Sequence, residues 1–208
     1  MKKEKDYLRD ITEIRHLMER SSRFYSLSGS AGILAGCYAL IGAFLAYWLF
    51  DFNPTSVTDP DLLSEGSSPN LAKTLMTAVL VLVLAVGSTV FLSYQKASKR
   101  KETAWSPTAR RLVLQMAVPL TAGGLLLLLL LGKGMTGLLA PLSLIFYGLA
   151  IFNAGHAAFN ELKPLGLLQV GLGLFCAHFI PYGLLCWAIG FGLLHILFGL
   201  YMHVTYEK

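Results

Sequence analysis

Six apolar runs, at residues 27–50, 71–94, 112–131, 135–153, 165–182 and 184–202, are separated by short polar stretches. They are 24, 24, 20, 19, 18 and 19 residues long. Roughly 20 helical residues cross a hydrocarbon core of about 30 Å, so each run suits one crossing. None alternates with period two, and backbone in lipid must satisfy its own hydrogen bonds, so helices are expected rather than a barrel. The expected fold is all-α: a polytopic membrane helical bundle of six transmembrane helices that holds 124 of the 208 residues.

The polar stretches fix the organisation. Residues 5–24 place Tyr7, Ile11, Ile14 and Met18 at spacings of 4, 3 and 4, with Arg9, Asp10, Glu13, Arg15 and Glu19 on the other faces. That is the pattern of an amphipathic helix that lies on the inner leaflet, docks on its own copy or docks on a partner. Residues 1–26 are therefore read as a cytoplasmic amphipathic segment and residues 27–208 as the six-span domain. The serines at 21, 22, 26, 28 and 30 suit a break and a new helix start. The outer loop 51–70 carries Asn53-Pro54, Asp59-Pro60 and Gly66-Ser67-Ser68-Pro69, which are turn signals rather than a domain.

Charge supplies direction. Of 17 Lys and Arg, seven fall in the first 26 residues and six between Lys96 and Arg111. With both termini inside, 15 lie on the cytoplasmic side and only Lys73 and Lys133 outside, the bias that orients membrane helices. The net charge of +5 sits beside apolar runs rather than on a groove, so nucleic acid is not an expected partner. A composition 55% hydrophobic and 14% charged excludes a disordered chain and a disulfide scaffold. Starting at residue 27 and running for 24 residues, the first run is too long for a cleavable signal and is expected to stay as a span.

Chemistry is sparse. The six runs hold no Asp, Glu or Arg, and their only Lys is Lys73 at the outer end of the second, so none of the residues that usually mark ion and coupling sites lies at membrane depth. No CxxC, HExxH, GxSxG or P-loop pattern occurs, so no catalytic residue is expected. In the last run and just past its end, Ala188, Gly192, His195, Gly199 and His203 share one helix face. Small residues there favour close helix packing, and Ser28, Gly32 and Gly36 in the first run and Gly166, Gln169, Gly173 and Ala177 in the fifth repeat the device. The sharper alternative makes Gly192, His195 and Gly199 a cavity or ligand face. If the fourth helix continues, Asn153, His156 and Asn160 share a face, and His156, Glu161 and His203 form a candidate cytoplasmic-interface cluster for metal or pH sensing. Interfacial anchoring is the plainer reading. Cys37, Cys176 and Cys186 are read as small packing residues, and Cys176 and His178, two apart, point to nearly opposite sides. No cofactor is predicted, and no metal is assigned.

The opening Glu19-Arg20-Ser21-Ser22-Arg23-Phe24 with Ser26-Leu27-Ser28-Gly29 resembles the start of a group of uncharacterised bacterial six-span cytoplasmic-membrane proteins. So does the closing Tyr182-Gly183-Leu184-Leu185-Cys186-Trp187-Ala188-Ile189-Gly190-Phe191-Gly192 with Leu194-His195-Ile196 and Gly199. The resemblance implies a multi-pass protein of the bacterial inner membrane and carries no site residue. The function expected is a non-enzymatic membrane scaffold or interaction subunit, with the bilayer as surroundings and residues 5–24 as contact to a copy or a partner. A passive channel or carrier for a neutral or lipophilic solute is the alternative, and a membrane haem or metal-binding protein the second.

Overall fold

The structure, a computed structural model, describes residues 29–52, 69–99, 105, 107–157 and 160–206. The amphipathic segment 5–24, Ser28 and most of the outer loop fall outside them. Among the described residues the chain is helical with no strand. In chain order come α1 (Gly29–Phe44), a π-helical turn (Leu45–Leu49), α2 (Pro69–Lys99), α3 (Pro107–Gly132), α4 (Leu139–Ala157), α5 (Leu162–His178), α6 (Gly183–Trp187), a second π-helical turn (Ala188–Leu193) and α7 (Leu194–Tyr206).

Local chemistry sets these ends. Pro69 and Pro107 each open a helix, where a missing amide costs nothing. Gly134 stops α3 with φ 72°, while Gly134 donates to the Leu131 carbonyl and Met135 to that of Leu130. This double bond pattern, built on a left-handed glycine, satisfies carbonyls that the helix end would orphan. The fifth apolar run, expected over 165–182, yields a helix only to His178. Pro181 has no amide to continue the ladder, and Ile180–Tyr182 forms a 3-10 turn instead.

Among the described residues five stretches are long and apolar enough to cross a membrane: Gly29–Leu49, Asn70–Lys99, Ala109–Gly132, Thr136–His156 and Ile180–Thr205. Leu162–His178 is apolar but shorter; its 17 residues span about 25 Å by helical rise.

The bundle is two zipped helix pairs joined side by side. α1 lies antiparallel to the last span: a Cβ on Gly36 would meet the Gly192 carbonyl oxygen at 2.6 Å, and one on Gly199 would meet that of Gly29 at 2.7 Å. α4 lies antiparallel to α5 in the same way, with Gly148 against the Gly166 carbonyl and Gly166 against that of Gly148, both at 2.7 Å. Backbones approach this closely only where no side chain intervenes, which lets many weak contacts and Cα–H···O pairs accumulate. Of the small face expected in the first run, Gly32 and Gly36 are used, together with Gly29. α2 packs mainly on α1 and α3 on α4. Between the pairs, Ile151, Ala154, Leu162 and Leu165 form a core that Leu112, Met116, Leu194 and Phe198 complete. A second core holds Leu144, Cys176 and Cys186.

Candidate functional site

A polar cluster sits where the two pairs meet, and the π turn at Ala188–Leu193 creates it. In an α-helix the Leu194 amide would bond to the Gly190 carbonyl; here it bonds to Ile189, five residues back. The extra residue in the turn frees the Gly190 oxygen, as such bulges do. Two side chains claim it. Gln169 Nε2 of α5 donates to it at 2.8 Å, and His195 Nδ1 of α7 at 2.9 Å.

The rest of the cluster follows from that carbonyl. It can only accept, so Nδ1 carries the imidazole proton. In the neutral ring Nε2 then offers a lone pair, and the Tyr147 hydroxyl of α4 donates to it at 2.7 Å. Phe191 covers the pair, its ring centroid 4.9 Å from that of Tyr147 and 6.0 Å from that of His195. His195 is 8% exposed and Gln169 0%. One acceptor goes unmet: Gln169 Oε1 has no hydrogen-bond partner. It faces the Gly190 Cα, where a Cβ would lie 2.7 Å from it and would also strike Leu144. Glycine at 190 is thus required by close approach.

The face formed by Gly192, His195 and Gly199 is closed by the backbone of α1. A Cβ on Gly36 would meet the Gly192 carbonyl, one on Gly32 would lie 3.2 Å from the Gly199 Cα, and one on Gly29 would meet both Gly199 and the backbone of His203. The His195 ring turns away from this seam toward Tyr147. The glycine backbones and the hydrogen-bonded His195 ring thus hold helices together.

The residues of the expected cytoplasmic-interface cluster lie on three elements, with His156 on α4, Glu161 just before α5 and His203 on α7. α4 ends at Ala157, so Asn160 stands in a turn instead of continuing the line of Asn153 and His156. His156 is exposed, its ring edge-on to Phe152 at 5.4 Å. Glu161 is half-buried at the start of α5, and His203 is exposed on α7. Among the described residues no group of three His, Cys, Asp or Glu is placed to hold a metal ion. At the other end of α5, Cys176 is buried in the Leu144 core while His178 is exposed against Phe179, as a two-residue offset on a helix requires.

Tyr147 and Gly190 are site residues that sequence reasoning missed. Gln169 stood on the small face of the fifth run, and a lone amide among Leu and Gly was the available signal; nothing marked its partner. No family model, curated protein or solved structure matches this chain.

Proposed function

We propose that this chain is an integral membrane protein of six crossings, both termini on the cytoplasmic side of a bacterial inner membrane, that acts without catalysis as a scaffold or interaction subunit. The 15 to 2 division of Lys and Arg supports the orientation. Long apolar helices support the membrane, and the hairpin through Pro181 supports α5 as the fifth crossing.

The observation that carries the interaction reading is α2. It is 31 residues long and rests chiefly on α1, through Gly42 against Val81. Its other side presents Val79, Val83 and Val90 at 60%, 61% and 64% exposure, in line with Gly87, which has nothing within 4 Å. A ridge of β-branched residues around an open glycine lets a second helix approach to backbone distance. The cores, by contrast, close on themselves through glycine seams and a hydrogen-bonded histidine, which favours a packing role over a solute path.

Single cysteines at Val83 and Gly87, in a background without the three native ones, test this in native membranes. Crosslinking to a copy or a partner is expected at both, with loss of the product in a Val83→Cys, Gly87→Trp double variant. A chain that stays monomeric and uncrosslinked at both positions would refute it.

A further inference from the structure

Two thiols meet at the hairpin between α5 and α6, apart from the polar cluster. Cys176 stands two residues before the end of α5 and Cys186 three residues after the start of α6, with the 3-10 turn Ile180–Tyr182 between the helices. By helical rise each lies about 3–5 Å from its helix end at the hairpin. Both are closed off, at 0% and 2% exposure, in one core with Leu144 that Ala140, Leu172 and Phe191 border.

The tight turn sets their approach. Pro181 cannot continue the α5 ladder, and Gly183, buried at the first position of α6, has no side chain to hold the two helix ends apart. The Cys176 thiol points across to the Gly183 carbonyl, with Sγ 3.9 Å from the oxygen. Cys186 follows Gly183 by three residues, so it stands on the same face of α6 one turn further on. The Cys186 thiol is accordingly the other side-chain partner of Cys176. Thiols are weak donors and weak acceptors, so these contacts hold neither sulfur firmly. Cys37, the remaining cysteine, is half-buried on α1 and belongs to neither core. Among the described residues no third His, Cys, Asp or Glu joins the pair to hold a metal ion, and His178 turns to Phe179 instead.

We propose that Cys176 and Cys186, free thiols in this structure, are a disulfide pair that closes to staple the α5–α6 hairpin. Closure brings the sulfurs to bonding distance by movement of two side chains and the turn between them. The glycine seams of α5 with α4 and of the last span with α1 stay as they are. The chemistry is thiol–disulfide exchange with a protein disulfide as oxidant: the thiolate of one cysteine attacks it, and the second cysteine displaces the donor from the mixed disulfide. The donor leaves as a dithiol with the two electrons and the two protons that the pair gives up. It acts while the chain is being inserted, because sulfurs at 0% and 2% exposure are closed to a reagent once α4 has packed. Such donors belong to oxidising compartments. With both termini inside, the fifth and sixth crossings meet on the outer side, so the supply of oxidant rests on the orientation proposed above.

The test counts thiols on the full chain. Cells producing it are quenched in acid and dissolved in sodium dodecyl sulfate with a polyethylene glycol maleimide, and tags per chain are read by gel shift. One tag, on Cys37, is expected before reduction and three after it. Cys176→Ala and Cys186→Ala should each show two tags without reduction. The unreduced chain should weigh about 2 Da less than the reduced one, and a linked peptide carrying both cysteines identifies the bond with no variant at all. Three tags from cells, and three again from cells grown with the permeant oxidant diamide, would overturn the pair. So would the absence of any tag in either alanine variant, which would join Cys37 to the cysteine left behind. Thiols released by a chelator without a reductant would overturn it as well, by making the pair a metal site. Three tags from ordinary cells but one from cells grown with diamide would uphold the pair and refute the outward placement of the hairpin, a distinct failure.

Discussion

Alanine at Gly36 or Gly199 should destabilise the bundle, while alanine at Gly87 or Gly124 should not. At Gly36 the new Cβ meets the Gly192 carbonyl oxygen and Ile196 Cγ1 at 2.6 Å, and the Ile196 amide nitrogen at 3.0 Å. At Gly199 it meets the Gly29 oxygen and the Ile33 nitrogen at 2.7 Å. Backbone atoms cannot swing aside, so reaching an ordinary contact of about 3.5 Å moves α1 and the last span apart by about 0.8 Å locally. A gap of that size forfeits a quarter to a half of the dispersion energy of each contact it opens. Overpacking of this kind costs about 1–3 kcal/mol. Against that, alanine in a helix interior gains about 0.5–1 kcal/mol over glycine. The net expectation is a loss of about 1–2 kcal/mol at either position. Gly32→Ala, whose nearest neighbours are the Gly199 Cα at 3.2 Å and the His195 oxygen at 3.3 Å, should fall near zero. Gly87 and Gly124, with nothing within 4 Å, should gain up to about 1 kcal/mol. Reversible unfolding in mixed micelles, titrated with a denaturing detergent and followed by circular dichroism, reads the series. Equal midpoints for Gly36→Ala and Gly87→Ala would refute the seam. So would strict additivity of Gly36→Ala with Gly199→Ala, since both changes open one interface.

Three further outcomes follow from the polar cluster and the topology. Tyr147→Phe removes the donor to His195 Nε2 and leaves a buried acceptor, so the same unfolding assay should register a loss of about 0.6–1.7 kcal/mol. Gln169→Leu should be neutral or stabilising, because it deletes the unmet Oε1 while His195 Nδ1 still serves the Gly190 carbonyl; a loss above about 2 kcal/mol would show that the amide has a partner. Single cysteines at Asp51 and Asn160, both exposed, should react with an impermeant maleimide from opposite sides of sealed membranes, Asp51 from outside. Labelling of both from one side would refute the alternation of crossings.

What the sequence made legible was what local composition controls. Helical class and the approximate bounds of the long apolar elements follow from unbroken Leu, Ala, Val and Phe. Turns such as Lys133-Gly134 follow from glycine, whose left-handed conformation at Gly134 ends α3. The glycine faces of the first, fifth and sixth runs were visible as spacing, but which face meets which depends on register between segments far apart in the chain. Gly36 meets Gly192 across 156 residues, and no local rule pairs them.

The same distance hid the centre of the molecule. Tyr147 and His195 are 48 residues apart, and Gln169 is 21 from Gly190. More decisively, the acceptor that Gln169 and His195 converge on is a backbone carbonyl that an ordinary helix would have kept for itself. Ala188 to Leu193 reads as continuous helix by periodicity, so a histidine on its small face looks available to a solute. One residue of π geometry changes that reading. It moves the Leu194 amide from Gly190 to Ile189, presents a carbonyl to Gln169 and His195, and fixes the tautomer of His195 that accepts from Tyr147. A polar group placed in an apolar bundle is costly until partnered, and here the partner is made by distorting the helix that carries the histidine. The cluster therefore serves as the fastening between α4, α5 and the last span.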